Sequence, residues 1–367
     1  MKQFKQEGYV GGIESFVLVS MYILVKLFFH IPRELSAEAG TASWMVPIIA
    51  CITVIPIFLC IERVANRFSR ASLLSISGLF WGRYVQWFLG LLLTLLLIVH
   101  SGYQMRIFAE FIIMTLLPST SIATIIISST VLCIFLAYNG LENLSRTAWL
   151  LFPLAIFVFL VSIFLIGFQG HLYYLSPWLG YGELATIETG IRFMGLYKEM
   201  MLLMLIAPLF RKQKVFRRVG FGSLLFSASL FTIVQIVLHL NFPFPGAKEV
   251  GFPLYQLARL INLQFILQRL EPFMVFAWST VSTVGIAVGF YASALAATQG
   301  SRAPDYRPFL VPLALLAVMV AFIPESSIEA VNTYTTLMML FPIVFYGLPV
   351  ITWMWMTFFY REPEETK

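Results

Sequence analysis

Acidic charge is what this sequence has least of. It holds one aspartate, Asp305, and 18 acidic residues in all against 24 lysines and arginines. Two-aspartate hydrolysis, a Walker-type nucleotide site and an EF-hand calcium loop each need carboxylates at set positions, so the shortage argues against all three. Cysteine is scarce too: Cys51, Cys60 and Cys133 lie inside apolar runs, which implies neither a disulfide framework nor a metal cluster. Charged residues make up 11% of the 367, hydrophobic residues 59%, and mean hydropathy is +0.86. A soluble domain of this length needs far more charged surface, so the composition is that of an all-α, polytopic membrane protein. No GxSxG, HExxH, paired CxxC or glycine-rich phosphate loop is present. No catalytic residue, cofactor or metal site is therefore expected, and an enzyme is the poorer hypothesis.

Ten apolar runs are present, roughly residues 12 to 32, 43 to 61, 83 to 103, 121 to 138, 148 to 168, 189 to 210, 219 to 240, 272 to 297, 308 to 324 and 335 to 359. Most approach the roughly twenty residues a transmembrane helix requires. Their connections alternate in charge. Sixteen basic residues (Lys2, Lys5, Arg63, Arg67, Arg70, Arg83, Arg146, Arg211, Lys212, Lys214, Arg217, Arg218, Arg302, Arg307, Arg361 and Lys367) fall on one side, and five (Arg33, Arg106, Lys248, Arg259 and Arg269) on the other. By the positive-inside rule the sixteen are cytoplasmic, with both termini inside, as an even number of spans requires. The net charge of +6 thus reflects topology and is no nucleic-acid signal. The N-terminus superficially resembles a cleaved signal peptide, but its apolar part is long and interrupted by Lys26, which reads as a retained first span. The cluster RKQKVFRR at 211 to 218 reads as a topology anchor. In the long outer connections, Pro253 to Asn262 is a candidate interfacial helix.

Three runs carry polar residues that a lipid-facing helix would lack. In the first, Ser15, Tyr22, Lys26, His30 and Arg33 fall along one side at helical spacing. Such a stripe belongs against other helices or a wet cavity. A second reading has equal weight here: Lys26 lies about 9 Å of helix rise from Pro32, and its stem reaches the outer interface by snorkelling. In the sixth run Lys198 and Glu199 are adjacent, and neighbours on a continuous helix point to different faces. Gly190 and Gly195 before them are what a local unwinding uses. In the third run His100 reads as a hydrogen-bonded packing residue. The eighth, rich in Ser, Thr, Gly and Ala with Gly285, Gly289 and Ser293 four apart, reads as a close-packing face whose Ser279, Thr280, Ser282 and Thr283 also offer hydroxyls.

Interrupted first and sixth spans are the leading members of two five-helix halves, a pattern of inverted-repeat transporters. The chain resembles the B subunit of GerA-type spore germinant receptors, a branch of the amino acid, polyamine and organocation transporter superfamily. The matching motifs are Ile31-Pro32-Arg33 with Glu38-Ala39-Gly40 and Trp44; Arg106-Ile107-Phe108-Ala109-Glu110-Phe111 with Leu117-Pro118; Gly140-Leu141-Glu142 with Ser145-Arg146; Leu175-Ser176-Pro177 with Leu179-Gly180; Glu199; and Arg269-Leu270-Glu271 with Trp278. Each is short; their order and spacing carry the resemblance.

The resemblance implies a single integral membrane domain over 1–367, built as a ten-helix, leucine-transporter-like 5+5 inverted repeat (about 10–168 and 186–359). It implies residence in the inner membrane of a bacterial spore, A and C subunits as partners, and a small germinant, an amino acid being the first choice. It places the pocket at Met21, Tyr22, Ile23, Leu24, Val25 and Lys26, at His100, at Leu196, Tyr197, Lys198 and Glu199, and at part of Ser279 to Thr283. The family usually has glycines in the first break, where this chain reads Leu24-Val25-Lys26-Leu27. The alternatives are a proton-coupled amino acid permease and a receptor-like component whose pocket is closed around Lys26.

Overall fold

A computed structural model describes residues 11–68, 71–167, 170–210, 213–260 and 271–360. Lys2, Lys5, Arg70, Arg211, Lys212, Arg269 with Leu270, Arg361 and Lys367, to which the sequence reading assigned sides or motifs, lie outside the described residues. Among those described, the ten runs become ten spans. Span 1 is a bent pair, Gly12–Phe28 and Ile31–Trp44. Spans 2 to 5 are Val46–Arg67, Arg83–Thr115, Ile122–Tyr138 and Gly140–Gly167. Span 6 is segmented over 183–209. Spans 7 to 10 are Gln213–Asn241, Glu271–Ser301, Arg307–Ala321 and Ser327–Phe358. Six of these helices are long and apolar enough to cross a bilayer singly, the bent pair adds a seventh, and spans 4 and 9 are shorter apolar helices.

Local chemistry sets the ends. Ser121 and Ser326 cap spans 4 and 10 by accepting from the backbone N–H three residues on. Gly140, at φ 89°, turns the chain between spans 4 and 5 with no room for more than a few residues, a conformation in which a side chain would be strained. The most apolar stretch of span 5 is only 28% buried inside the protein, whereas that of span 8 is 72% buried. Span 5 therefore spends its Leu, Ile and Phe side chains on lipid, with Phe157 and Phe164 exposed. Span 8 sits in the middle and needs small residues. A Cβ on Gly285 would collide with Val25 of span 1, one on Gly289 with Ser101 of span 3, and Gly300 faces Gly90 backbone to backbone. The small-residue stripe is a packing face, as the sequence reading preferred.

Two connections differ from expectation. The stretch after Pro32, taken from its charge as an outer connection, is helical: Ile31–Ala39 and Gly40–Trp44 form the second limb of span 1. Its Arg33, Glu34 and Glu38 gave it a loop's composition, but Ile31, Leu35 and Ala39, spaced four apart, give it a fully buried face. Residues 62–82, read as a loop, contain the helix Leu73–Trp81, capped by Ser72 and stopped by Gly82. The outer helix Pro253–Arg259 is present as expected, and the Asn262 end of that assignment lies outside the described residues. The basic stretch from Lys214 to Arg218 opens span 7, where Arg217 lies 3.6 Å from Glu62.

Candidate functional site

Span 1 breaks without glycine. Its α-helix stops at Leu24, tightens to a 3₁₀ turn over Val25–Phe28, and leaves helical geometry at Phe29 (φ −79°, ψ −140°) before the second limb sets off at 64°. Pro32 explains the position of the bend: it has no N–H to give to Phe28, and its ring disfavours continuing the helix through that turn. Span 6 breaks over a longer stretch. Phe193–Met200 is 3₁₀, with Tyr197 off helical angles at φ −116°, ψ 18°. Gly195 lies against the Met338 carbonyl of span 10, so close that any side chain there would strike backbone.

The two breaks meet through one lysine. Lys26, wholly buried, donates to Glu199 Oε2 at 2.6 Å and to the carbonyl of Leu196, in the 3₁₀ stretch of span 6, at 2.5 Å. Of the two readings of Lys26, the structure shows the inward one. Lys198 also turns inward, its Nζ 3.6 Å from Glu199 Oε1 and over the rings of Tyr334 and Phe341 at 5.1 and 5.6 Å. The separation expected of a continuous helix does not apply, because the kink at Tyr197 brings both side chains to one side. His100 Nε2 lies 3.2 Å from Glu199 Oε1, and its Nδ1 lies 3.5 Å from the Tyr334 hydroxyl. His100 thus joins the charged cluster as well as packing against Tyr22 and Tyr334.

Beside this cluster is a cavity of about 10 Å³, room for a single water-sized group. Tyr22, His100, Lys198 and Glu199 line its polar side; Leu97, Met201, Leu202, Leu205, Ala292 and Phe345 complete it. Polar contacts close both ends of the bundle around it. Towards one end, Gln86 donates to the Gln299 carbonyl at 2.7 Å, Gln299 to the Leu205 carbonyl at 2.9 Å, and Arg302 to Gln86 at 2.8 Å. Towards the other, Arg192 meets Glu38 at 3.1 Å, Arg33 donates to the Lys248 carbonyl, and His239 of span 7 meets Ser36 and Ser43 of span 1.

Of the residues expected at the pocket, Tyr22, His100, Lys198 and Glu199 line the cavity, and beside it Lys26 contacts Glu199 and the Leu196 carbonyl. The others turn elsewhere. Val25 packs on Gly285, Tyr197 donates to the Pro47 carbonyl at 2.9 Å, and Ile23 and Leu24 are core residues. Ser279 and Thr283 are not at the cavity: each hydroxyl bonds back to the carbonyl four residues earlier, and span 8 meets the cavity at Ala292 instead. The expectation of pocket hydroxyls in span 8 is corrected on that ground. Tyr334, Phe341 and Phe345 of span 10 escaped the sequence reading because aromatic residues are spread over the whole chain, 16% of it. Leu97, by contrast, sits one helical turn from His100 and was within reach of that reading. Among the described residues no group of three or more His, Cys, Asp or Glu side chains is placed to hold a metal ion.

The bundle is a transporter fold. It superposes on a Na+-coupled sialic acid symporter, solved in a substrate-bound outward-open state, with TM-score 0.70 over 95% of this chain and 80% of that one, at 13% identity. At that identity the likeness speaks for the fold alone: ten helices arranged as in leucine-transporter-like proteins. The chain itself belongs to the spore germination protein family, whose profile matches residues 9–330. A relative is YfkT of Bacillus subtilis (strain 168), named for spore germination, 26% identical over 284 residues that cover 74% of this chain and 75% of that one. Family and fold together make this a transporter-type membrane protein and not an enzyme.

Proposed function

We propose that this chain is the nutrient-sensing membrane subunit of a spore germinant receptor, working with A and C subunits and binding a small polar nutrient, an amino acid first among them. One observation carries the reading: two interrupted spans meet at mid-bundle through Lys26, Glu199 and the Leu196 carbonyl, beside a small, mostly apolar cavity with Tyr22, His100, Lys198 and Glu199 in its wall. Charges at that depth are costly unless paired, and they persist where they serve a site. The two five-span repeats, about 10–168 and 186–359, each open on one of the interrupted spans.

The proposed membrane is the spore inner membrane, with the basic side and both termini facing the core. The grouping of side chains supports this orientation: Arg302 reaches span 3 near Arg83, and Arg217 meets Glu62, whereas Arg33 and Lys248 meet at the far end. Impermeant labelling checks it, with a cysteine at position 248 labelled from outside and one at 214 protected. Equal labelling contradicts it.

The functional test fills the cavity without touching a charge. Ala292→Val should leave the receptor complex assembled while moving the spore's nutrient dose response at least about tenfold upward. An unchanged dose response in an assembled complex contradicts the proposal. Uptake of amino acid into proteoliposomes by the purified chain alone would make it a permease instead.

A further inference from the structure

The charges around the cavity do not sum to zero. Lys26 and Glu199, 2.6 Å apart, cancel each other, and the second bond of Lys26 goes to a neutral carbonyl. Lys198 remains. Its side chain is 1% exposed, and the carboxylate within reach, Glu199 at 3.6 Å, is already shared with Lys26. Its other close neighbours are the faces of Tyr334 and Phe341, which favour a cation but carry no counter-charge. With Lys198 protonated and His100 neutral, the site holds one positive charge in excess, in surroundings where an uncompensated charge is disfavoured.

The hydrogen-bonding groups are unbalanced in the same direction. Two buried polar atoms at the cavity, Tyr22 Oη and Lys198 Nζ, have no hydrogen-bond partner, whereas His100 Nε2 and Glu199 Oε1 face each other at 3.2 Å. If Tyr334 donates to His100 Nδ1, the ring hydrogen is assigned to Nε2. Nε2 then donates to Glu199 Oε1, and two donors, the Tyr22 hydroxyl and the Lys198 ammonium, face the cavity. An entering ammonium group would bring three more donors and a second surplus charge. A zwitterion would leave the excess charge where it is. A monoanion cancels it and accepts from the donors present.

We infer that this cavity recognises a small monoanionic group, either the carboxylate of the nutrient or a free halide, held by Lys198 with Tyr22 as a neutral donor, and that an amino group on the ligand is dispensable. This rests on reading the cavity as the nutrient site. At about 10 Å³ the cavity as it stands holds one water-sized group, so an anion enters only as the lining moves. The remainder of a carboxylate ligand requires its flexible apolar wall, Leu97, Met201, Leu202 and Leu205, to part.

The experiment is thermal unfolding of the detergent-solubilised receptor complex in sulfate buffer, with sodium acetate, sodium lactate, L-alanine, L-alaninamide and sodium chloride as separate probes. Acetate and lactate should raise the unfolding midpoint most and alanine less, because its ammonium restores the surplus charge, while alaninamide, which keeps the ammonium but loses the carboxylate, should act at least about tenfold more weakly than alanine. Lys198→Gln should abolish the carboxylate response and Lys198→Arg retain it. A midpoint raised by chloride alone, and lost in Lys198→Gln, assigns the anion to a free halide rather than to the nutrient. Stabilisation by alaninamide equal to that by alanine overturns the inference, as does a wild-type acetate response in Lys198→Gln, or no response to any probe. Should Lys198→Gln fail to fold, the comparison of acetate with alaninamide on the native complex decides. A neutral sugar or nucleoside that stabilises the complex, and stops doing so in Ala292→Val, would leave the nutrient site standing and the anion wrong. Stabilising ligands that are all indifferent to Ala292→Val would remove the nutrient site itself.

Discussion

Spans 1 and 6 are both interrupted near mid-membrane, but by different chemistry and with different products. Span 1 holds helical geometry as far as Phe28 and then turns sharply by 64°, where Pro32 withholds a backbone hydrogen bond. Span 6 is tightened over eight residues, Phe193–Met200, with glycine at its centre against the span 10 backbone. The first break exports a cation, Lys26; the second offers a carboxylate and a backbone carbonyl, Glu199 and Leu196, to receive it. A lysine thus spans the gap that flexible glycines would leave open. The comparison teaches that broken helices are joined here by a fixed side-chain charge, and the join holds whatever the ligand.

The comparison breaks most readily at its acceptor. Glu199→Gln leaves Lys26 and Lys198 buried with no carboxylate between them, and a loss of about 3–5 kcal/mol is expected in denaturant unfolding of the solubilised protein. Lys26→Met should cost less, about 2–3 kcal/mol, because Lys198 already stands 3.6 Å from the carboxylate that is left. Next come the glycines on either side of the join. Gly195→Ala drives a methyl into the Met338 carbonyl and should cost about 1–3 kcal/mol, whereas Gly285→Ala meets the tip of Val25, which can yield, and should stay near 1 kcal/mol. The smallest effect belongs to the rim. Arg192 and Glu38 lie 3.1 Å apart with side chains 45% and 38% exposed, and Arg192→Ala should change stability by less than about 1 kcal/mol.

Much of this was legible in the chain. Ten apolar runs of membrane length, with basic residues alternating between their connections, give the span count, and the pairing of polar first and sixth spans points to the centre of the site. What was hidden was geometry. The limb after Pro32 carries enough charge to pass for a loop, because Arg33, Glu34 and Glu38 interrupt its buried residues Ile31, Pro32, Leu35, Ser36 and Ala39. Lys198 and Glu199 point apart on a continuous helix; Gly190 and Gly195 signalled an unwinding, but not that Tyr197 would carry the non-helical angles that turn both side chains inward. Ser279 and Thr283 are indistinguishable in sequence from pocket hydroxyls, yet their O–H groups donate to their own helix and both residues lie away from the cavity. Span 10 supplies ring faces to Lys198, and no pattern separates Tyr334 and Phe341 from the chain's other aromatics.

The central claim is that Lys26 and Glu199 act as one unit joining the two breaks, and a double-mutant cycle tests it most directly. Unfolding free energies would be measured for the native protein, Lys26→Met, Glu199→Gln and the double variant in one detergent. Removing both charges removes the join but strands neither partner. The double variant is therefore predicted to be more stable than Glu199→Gln alone, with a coupling energy of about 2 kcal/mol or more. Losses that simply add, leaving the double variant the least stable of the four, would contradict the account.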